Sequence, residues 1–469
     1  MRFRSPLLVA LLAVAADPHA AAAQAAAAPA FGLRGGLTDT AQPVDVAPAI
    51  VADEDGGAGR VLRQAPMVKG PEPDPLDNVA TGTIRTTNAS DNEDPFAAVG
   101  IRKGNFIYYP SVTATTGFST NASGVAGGGG SGTLTLTPEL FIQSDWARHE
   151  ATLTIRGSLD KVLDGSQPDD PSASIEGTGR IDIKDGWKID LDGRYGYSQQ
   201  SISDPDFPAG VDSPPGVHDL SGSATLNGRF GRHVFELEGN VARTAYDNGT
   251  SAGLVVDQGD RTNNVFGARL RLGYETPLDV TPFVEAEIAH RAYDSTLDGS
   301  GLRRSSTATN LRAGVAFARD PVLSGDVAIG VAQQTFDDPA LATLHALTVD
   351  GSLVWSPTRL VNVTFDAATT FSPSTDSGSS GSVVHDASVD VAYKLRRDFT
   401  LNWTGELSHQ AFQGTNVVET NVKAGVSGTW KLSRQVWLTG GYVHEWLDSN
   451  APGASFESDT VRLELRLQR

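Results

Sequence analysis

The sequence predicts an all-β chain folded as a transmembrane up-and-down antiparallel β-barrel of about 18 strands, with a disordered N-terminal extension. Three observations carry that prediction. Residues alternate between apolar and polar over long stretches, short turns alternate with long loops, and aromatic residues recur at strand ends. Only an extended strand puts i and i+2 on one face, so each alternating stretch is a strand with two different faces.

The N-terminus sets the compartment. Arg2 and Arg4 precede an apolar run from Leu7 to Ala16, and small residues, Ala20 to Ala23, stand before Gln24. A charged start, a short apolar stretch and an A-x-A-like site read as an export signal over residues 1–23, cleaved after Ala23. The apolar run is about half of what a spanning helix needs, and no later window supplies 18 consecutive apolar residues. Residues 24–95 turn to Ala, Pro, Gly and Asp, in stretches such as DEDGGAG and KGPEPDPLDN. Without apolar periodicity this segment buries too little surface to offset chain entropy, so it is expected to remain a flexible periplasmic tether.

The barrel is expected over residues 96–469. From Phe399 to Ala411, apolar residues such as Leu401, Trp403 and Leu407 alternate with Thr400, Asn402, Thr404 and Glu406. In the last strand Val461, Leu463, Leu465 and Leu467 lie opposite Arg462, Glu464, Arg466 and Gln468. The same alternation recurs at Ile175–Ile183, Ile189–Tyr197, Leu220–Phe230, Phe266–Tyr274, Leu311–Phe317, Val361–Phe371, Ala387–Leu395 and Val422–Trp430. Eight short turns, among them KDGW (Lys184 to Trp187), FGRH (Phe230 to His233) and RRD (Arg396 to Asp398), alternate with nine longer polar loops. That pattern gives 18 strands, or 16 if one counted pair is not formed. A propeller blade of similar repeat length would hold four short strands, whereas each unit here holds two long ones.

Strand length and aromatic placement point to a bilayer. Soluble strands run about 5 to 6 residues, and a tilted membrane strand needs about 9 to 11. Aromatics stand beside the short turns (Trp187, Trp355 and Trp430 among them) and beside eight long loops (Phe118, Tyr197, Tyr246, Tyr293, Phe336, Phe371, Phe412 and Trp446). Trp187 and Tyr197 share one parity ten residues apart. At about 3.3 Å per residue and a tilt near 40° they span roughly 25 Å, the height of an apolar band between two aromatic girdles. The girdle candidates are therefore Trp187, Tyr197, Trp355, Trp430 and Trp446. Phe283 and Tyr293 depart from the pattern, since they share the side of Glu285 and Glu287. An unpaired edge in hydrocarbon is costly, so the sheet must close, and an even strand number leaves both termini on the periplasmic side.

Composition agrees once two faces are allowed. A mean hydropathy of −0.21 averages a lipid-facing set against a charged one. The absence of cysteine excludes disulfides, thiolate metal sites and thiol catalysis. A net charge of −19 and a pI near 4.8 argue against nucleic acid as a partner.

The opening of the barrel, Asp94 to Ser123, resembles the start of the family called "putative β-barrel porin 2". It shows an Asp-Pro pair (Asp94, Pro95), a Gly-Ile-Arg-x-Gly run (Gly100, Ile101, Arg102, Gly104), and then Tyr108, Pro110 and Ser111 after an aromatic pattern. The resemblance covers about Asp94 to Arg469. It implies a Gram-negative outer-membrane location and a porin-like role, in some members beside surface polysaccharide export, and it supplies no catalytic residues. The chain ends Leu467-Gln468-Arg469, without the terminal aromatic that often assists barrel assembly.

Function is expected in the lumen, because outward positions are committed to lipid. The lumen-lining candidates are Arg269, Arg271, Glu236, Glu238, Glu285, Glu287, Arg462, Glu464 and Arg466; Arg312, Asp350, Asp366, Asp390 and Glu406 share the inward parity. Neighbouring strands carry opposite signs. Facing acidic and basic walls would set a transverse field that favours polar solutes; charges that pair across strands would instead hold the wall. Catalytic and metal motifs are not found. His149-Glu150 and His444-Glu445 lack the second histidine of HExxH, and Ser408 and His409 fall on opposite faces. Asp164 to Asp170 reads as a solvated loop.

The expected function is a passive channel for small polar solutes, not an enzyme and without a cofactor. The alternative is a non-conducting structural or interaction barrel associated with surface polysaccharide export. The expected partners are outer-membrane lipid, the barrel-assembly machinery, polar solutes and proteins of the periplasm or of polysaccharide export that contact the acidic tether.

Overall fold

The computed structural model describes residues 95–469 apart from 166–168, 185, 201–213, 252–253, 320–321, 375–378 and 452. The expected export signal at 1–23 and all but the last residue of the expected tether at 24–95 lie outside the described residues.

Eighteen strands form one antiparallel ring. They are β1 (Phe106–Ser119), β2 (Ser131–Ser144), β3 (Glu150–Val162), β4 (Asp170–Lys184), β5 (Trp187–Gln199) and β6 (Gly216–Phe230). There follow β7 (His233–Tyr246), β8 (Asn263–Tyr274), β9 (Val280–Tyr293), β10 (Ser306–Arg319), β11 (Leu323–Phe336) and β12 (Leu344–Thr358). The last six are β13 (Val361–Ser372), β14 (Gly381–Arg396), β15 (Phe399–Gln413), β16 (Val418–Lys431), β17 (Val436–Ser449) and β18 (Phe456–Gln468). Each strand pairs with the next, and β18 pairs with β1 from Ser111–Gln468 to Ser119–Thr460, so the sheet is closed. Short turns join the strands at one end and mostly longer loops at the other, as the sequence spacing predicts, with the four-residue connection 414–417 between β15 and β16 as the exception.

The opening motif closes the foot of the barrel. Below Ser111 the strand β1 has lost β18 as a neighbour, and the short strand Ile101–Lys103 pairs there with Phe106–Tyr108 instead. Gly100 adopts a φ of +69°, and a side chain there would collide with Ile107 and Tyr109. Arg102 pairs with Asp145 of the first turn, and the Arg469 N–H donates to Pro110 O at 3.1 Å. The motif thus covers an edge that would otherwise stand open.

Parity divides every strand. Val331, Leu347 and Val461 point out and are 61%, 68% and 58% exposed on the protein surface, while their sequence neighbours turn into the barrel. Among the described residues no helix is long and apolar enough to cross a membrane. A continuous apolar exterior on a closed sheet is stable only against lipid.

The two rims differ, and this corrects one expectation. At the turn end Trp187, Tyr274, Trp355 and Trp430 face outward and are exposed; Trp437 faces inward under Lys431, whose Nζ lies 4.6 Å from the ring centre. At the loop end Phe118, Tyr197 and Trp446 face outward, whereas Tyr246, Tyr293, Phe336 and Phe412 have inward parity in the register, and Phe371 is buried. The second aromatic girdle is therefore incomplete. An aromatic near a strand end lies on the lipid side only if its parity does, and parity here is set by the lumen residues it alternates with. Six of the nine histidines take the outward positions at this rim: His218, His290, His345, His385, His409 and His444. His385 and His409 stand directly opposite each other.

Candidate functional site

The inner face of β7 to β12 carries an ion-pair lattice. Strand register places Arg269 between Glu238 and Glu287, and Arg271 between Glu236 and Glu285. Side chains lean along their strands, so the contacts shift by a rung. Arg269 pairs with Glu236 and Glu238 on one side and with Glu285 at 2.9 Å on the other. Arg271 reaches Glu285 at 2.6 Å and Asp326 at 3.4 Å. Arg312 meets Glu285 at 2.7 Å, Glu287 at 2.6 Å and Asp350 at 2.9 Å. Glu285 is the hub, touching all three guanidinium groups, and its side chain is 0% exposed.

Small residues make this packing possible. Arg312 crosses over Gly330 on its way to Asp350, and a Cβ at Gly330 would lie 2.6 Å from Arg312 Cγ. Phe283, the aromatic that broke the sequence pattern, lies inward over Gly314, where a Cβ would come within 2.5 Å of its ring. The Arg271 guanidinium sits 4.1 Å above the Phe283 ring. Long cations therefore lie flat against the wall, desolvated but paired, which is the condition under which buried charge is tolerated.

A second, smaller lattice joins the ends of the chain. Glu139 on β2 accepts from Arg156 on β3 at 2.5 Å and from Arg466 on β18 at 3.0 Å, the latter reaching across β1. Arg462 lies 3.4 Å from Glu464 on the same strand. Of the nine lumen candidates, six fall in the large lattice, Arg466 in the small one, and Arg462 and Glu464 beside it. Sequence reasoning missed Asp326 and Glu139. Both share the parity of known inward neighbours, Ala328 and Gly330 for the first and Thr133, Thr135 and Thr137 for the second, so the signal was present.

The wall from β13 to β15 is built differently. Asp366, Asp386, Asp390 and Glu406 face the lumen and are only half-buried. Asp366 stands opposite Ser352 and Ser388, Asp386 opposite Ala368 and Ser408, and Asp390 opposite Thr364 and Thr404. The register gives Asp386 and Asp390 no cation as a cross-strand neighbour, whereas Glu406 stands directly opposite Lys423 on β16. Among the described residues opposite signs interleave within the first arc, and the next arc carries four carboxylates with Lys394 of β14 on the same face.

Elsewhere the charged groups serve local structure. Arg304, in the loop after β9, pairs with Asp298 at 2.5 Å and donates to Ser379 O at 2.7 Å, tying two loops together. Burial pushes the Asp298 carboxyl up, but the Leu302 N–H and the Arg304 guanidinium outweigh it and hold this group below its ordinary range. His149 and Asp182 clamp a turn through reciprocal bonds of 3.1 Å. Ser408 and His409 point to opposite faces. Among the described residues no group of three or more His, Asp or Glu side chains is placed to hold a metal ion.

A closed sheet that is apolar outside and polar inside defines an outer-membrane barrel of porin type. Comparison with protein families agrees: residues 94–469 match the family described as "Putative beta-barrel porin 2", and the chain belongs to it. No curated protein sequence matches the chain. Among solved structures it is similar to the siderophore receptor PirA from Acinetobacter baumannii (7% identity, TM-score 0.38, 77% of this chain and 80% of that one). It is also similar to the FrpB iron transporter from Neisseria meningitidis (9%, 0.40, 79% and 82%) and to the copper transporter OprC (8%, 0.43, 79% and 81%).

Proposed function

We propose that this chain is a passive outer-membrane channel for small polar solutes that favours cations, with both termini and the short turns in the periplasm. The observation that carries the reading is the contrast on the inner wall. The lattice of β7 to β12 consumes its own charges, while Asp386 and Asp390 on β14 have only Ala, Ser and Thr opposite them. An 18-stranded ring is wide enough to hold water, and an acidic wall raises the local concentration of cations. No step of catalysis and no cofactor enters this mechanism: selection rests on size, polarity and charge.

Planar-bilayer recording tests it. In a salt gradient the reversal potential is expected on the cation-selective side, and liposomes carrying the protein are expected to swell in small sugars. Silence at every voltage, with no swelling, would favour the non-conducting structural barrel.

A further inference from the structure

The outer face carries one polar row at the loop-side rim. Thr369 on β13 stands opposite His385 on β14, His385 opposite His409 on β15, and His409 opposite Thr420 on β16. At one end the row bridges a parting between strands. The ladder between β12 and β13 stops at Gly351–Ala367, although β12 runs on to Leu344 and β13 to Ser372. Thr369 Oγ1 spans it, accepting from the Val349 N–H at 3.0 Å and donating to Val349 O at 3.3 Å. His409 lies ten residues above Phe399, the cross-strand partner of the outward Trp430. At about 3.3 Å per residue and a tilt near 40° that is roughly 25 Å along the membrane normal, so the row sits where lipid meets water.

Both imidazoles in the row are held by one edge. His385 Nδ1 lies 3.1 Å from Thr369 Oγ1, and His409 Nδ1 lies 2.9 Å from Thr420 Oγ1. The two threonines flank the pair on its far sides, and Nε2 is on the edge of the ring away from Nδ1. The Nε2 edges therefore face each other across the β14–β15 ladder, and among the described residues neither has a hydrogen-bond partner. The adjacent outward rungs, Val383–Ala411 and Ala387–Leu407, offer no polar side chain. Other histidines of this rim are engaged differently: His444 Nδ1 is 2.9 Å from Asp459, and His218 Nε2 is 3.4 Å from Asp247.

Proton accounting fits a ligand role. Thr369 gives its one hydroxyl proton to Val349 O and keeps a lone pair for the N–H of His385 Nδ1, which leaves the Nε2 lone pair open. An imidazole tied through its other nitrogen in this way is oriented as a metal donor. Two Zn–N bonds of about 2.0–2.1 Å at a tetrahedral angle place their nitrogens about 3.3 Å apart. Directly opposed residues, with Cβ atoms about 4.5–5.5 Å apart, can span that distance.

We propose that His385 and His409 together bind one divalent transition-metal ion, of the zinc, nickel or copper class, through their Nε2 atoms, with water in the remaining positions. Imidazole suits these ions, whereas Mg²⁺ and Ca²⁺ take oxygen. The ion clamps β14 to β15 and extends the tie that Thr369 makes to β12, bracing the rim where the neighbouring ladder is missing. It takes no part in the passage of solutes and does not depend on it.

The test uses the full-length protein, without an affinity tag, in detergent micelles, with Zn²⁺ and Cu²⁺ as probes. Calorimetry is expected to find one Zn²⁺ site per chain that excess Mg²⁺ does not displace. His385→Ala or His409→Ala is expected to weaken it roughly tenfold or more, whereas His290→Ala, at the same rim, leaves it unchanged. Zn²⁺ is also expected to raise the temperature of the heat-induced mobility shift in the unaltered protein and not in His385→Ala. One Cu²⁺ per chain, read by electron paramagnetic resonance, is expected to show two imidazole nitrogens. Equal Zn²⁺ binding by the variants would mean an adventitious ion only and would overturn the proposal. Should a variant fail to assemble, the unaltered protein still decides: a Cu²⁺ spectrum with a single nitrogen, or no Zn²⁺ bound, would overturn it as well.

Discussion

Two arcs of the same inner wall, β7 to β12 and β13 to β15, use charge in opposite ways. In the first, the nine charged side chains of the large lattice interlock across six strands and are nearly removed from solvent. In the second, Asp366, Asp386 and Asp390 stand opposite Ser, Thr and Ala, Glu406 stands opposite Ser388 and Lys423, and all four remain half-buried. A list of inward-facing residues would rank the first arc as the more highly charged selectivity surface. Geometry reverses the ranking, because a charge already matched by two partners has little field left for a solute. On the proposed reading the first arc braces the barrel and the second meets what passes through it.

Removing the hub should break the first arc hardest. Glu285→Ala leaves Arg269, Arg271 and Arg312 without their shared partner, and breaking a buried pair costs about 3–5 kcal/mol. The loss is expected as a lower temperature for the heat-induced shift in electrophoretic mobility, with ion preference little changed. If stability were untouched while selectivity altered, the roles of the arcs would be exchanged.

The exterior supplies the next largest effect. Leu463 stands outward near the middle of β18, opposite Thr116 and Gly440, and is 49% exposed. Leu463→Arg should cost about 2–4 kcal/mol in a bilayer, as for an arginine on the lipid face at mid-depth. The inward neighbour Glu464→Gln should cost far less in the same denaturant titration, which tests the parity of the strand directly.

A smaller effect belongs to the loops. Asp298→Asn weakens the tie from Arg304 and is expected to cost about 1.5–3 kcal/mol, the range for a hydrogen bond to a charged group. The Asp298 carboxyl is held below its ordinary value in the folded chain. Its contribution is therefore present above the unfolded value, near 4, and is lost as pH falls through the lowered one. Protection of this loop from proteolysis should persist in mild acid and fall only in stronger acid. In the Asn variant it should be weaker and lack that acid step.

The fold was legible because two-residue alternation and the alternation of short and long connections are properties of the chain itself. Val461 to Gln468 displays both faces of β18 without any knowledge of its neighbours. The cross-strand opposition of Arg269 and Arg271 to Glu236, Glu238, Glu285 and Glu287 was also readable, since consecutive strands must pair. What stayed hidden depends on three dimensions. Arg312 reaches Asp350 two strands away only because Gly330 leaves space. Whether Tyr246 and Phe336 face lipid or lumen is decided by parity, which their position near a strand end does not reveal. The parting of β12 from β13 leaves no mark in composition, because Leu347, Val349 and Thr369 would suit an unbroken sheet equally well.

The arcs are separated most directly by recording the reversal potential of an Asp366→Asn/Asp390→Asn/Glu406→Gln variant beside the unaltered protein in planar bilayers. The unaltered barrel should conduct and favour cations, and the variant should keep its conductance while losing that preference. A variant that remains as cation-selective as the original, or an unaltered barrel that never conducts, would contradict the assignment of the solute path to β13 to β15.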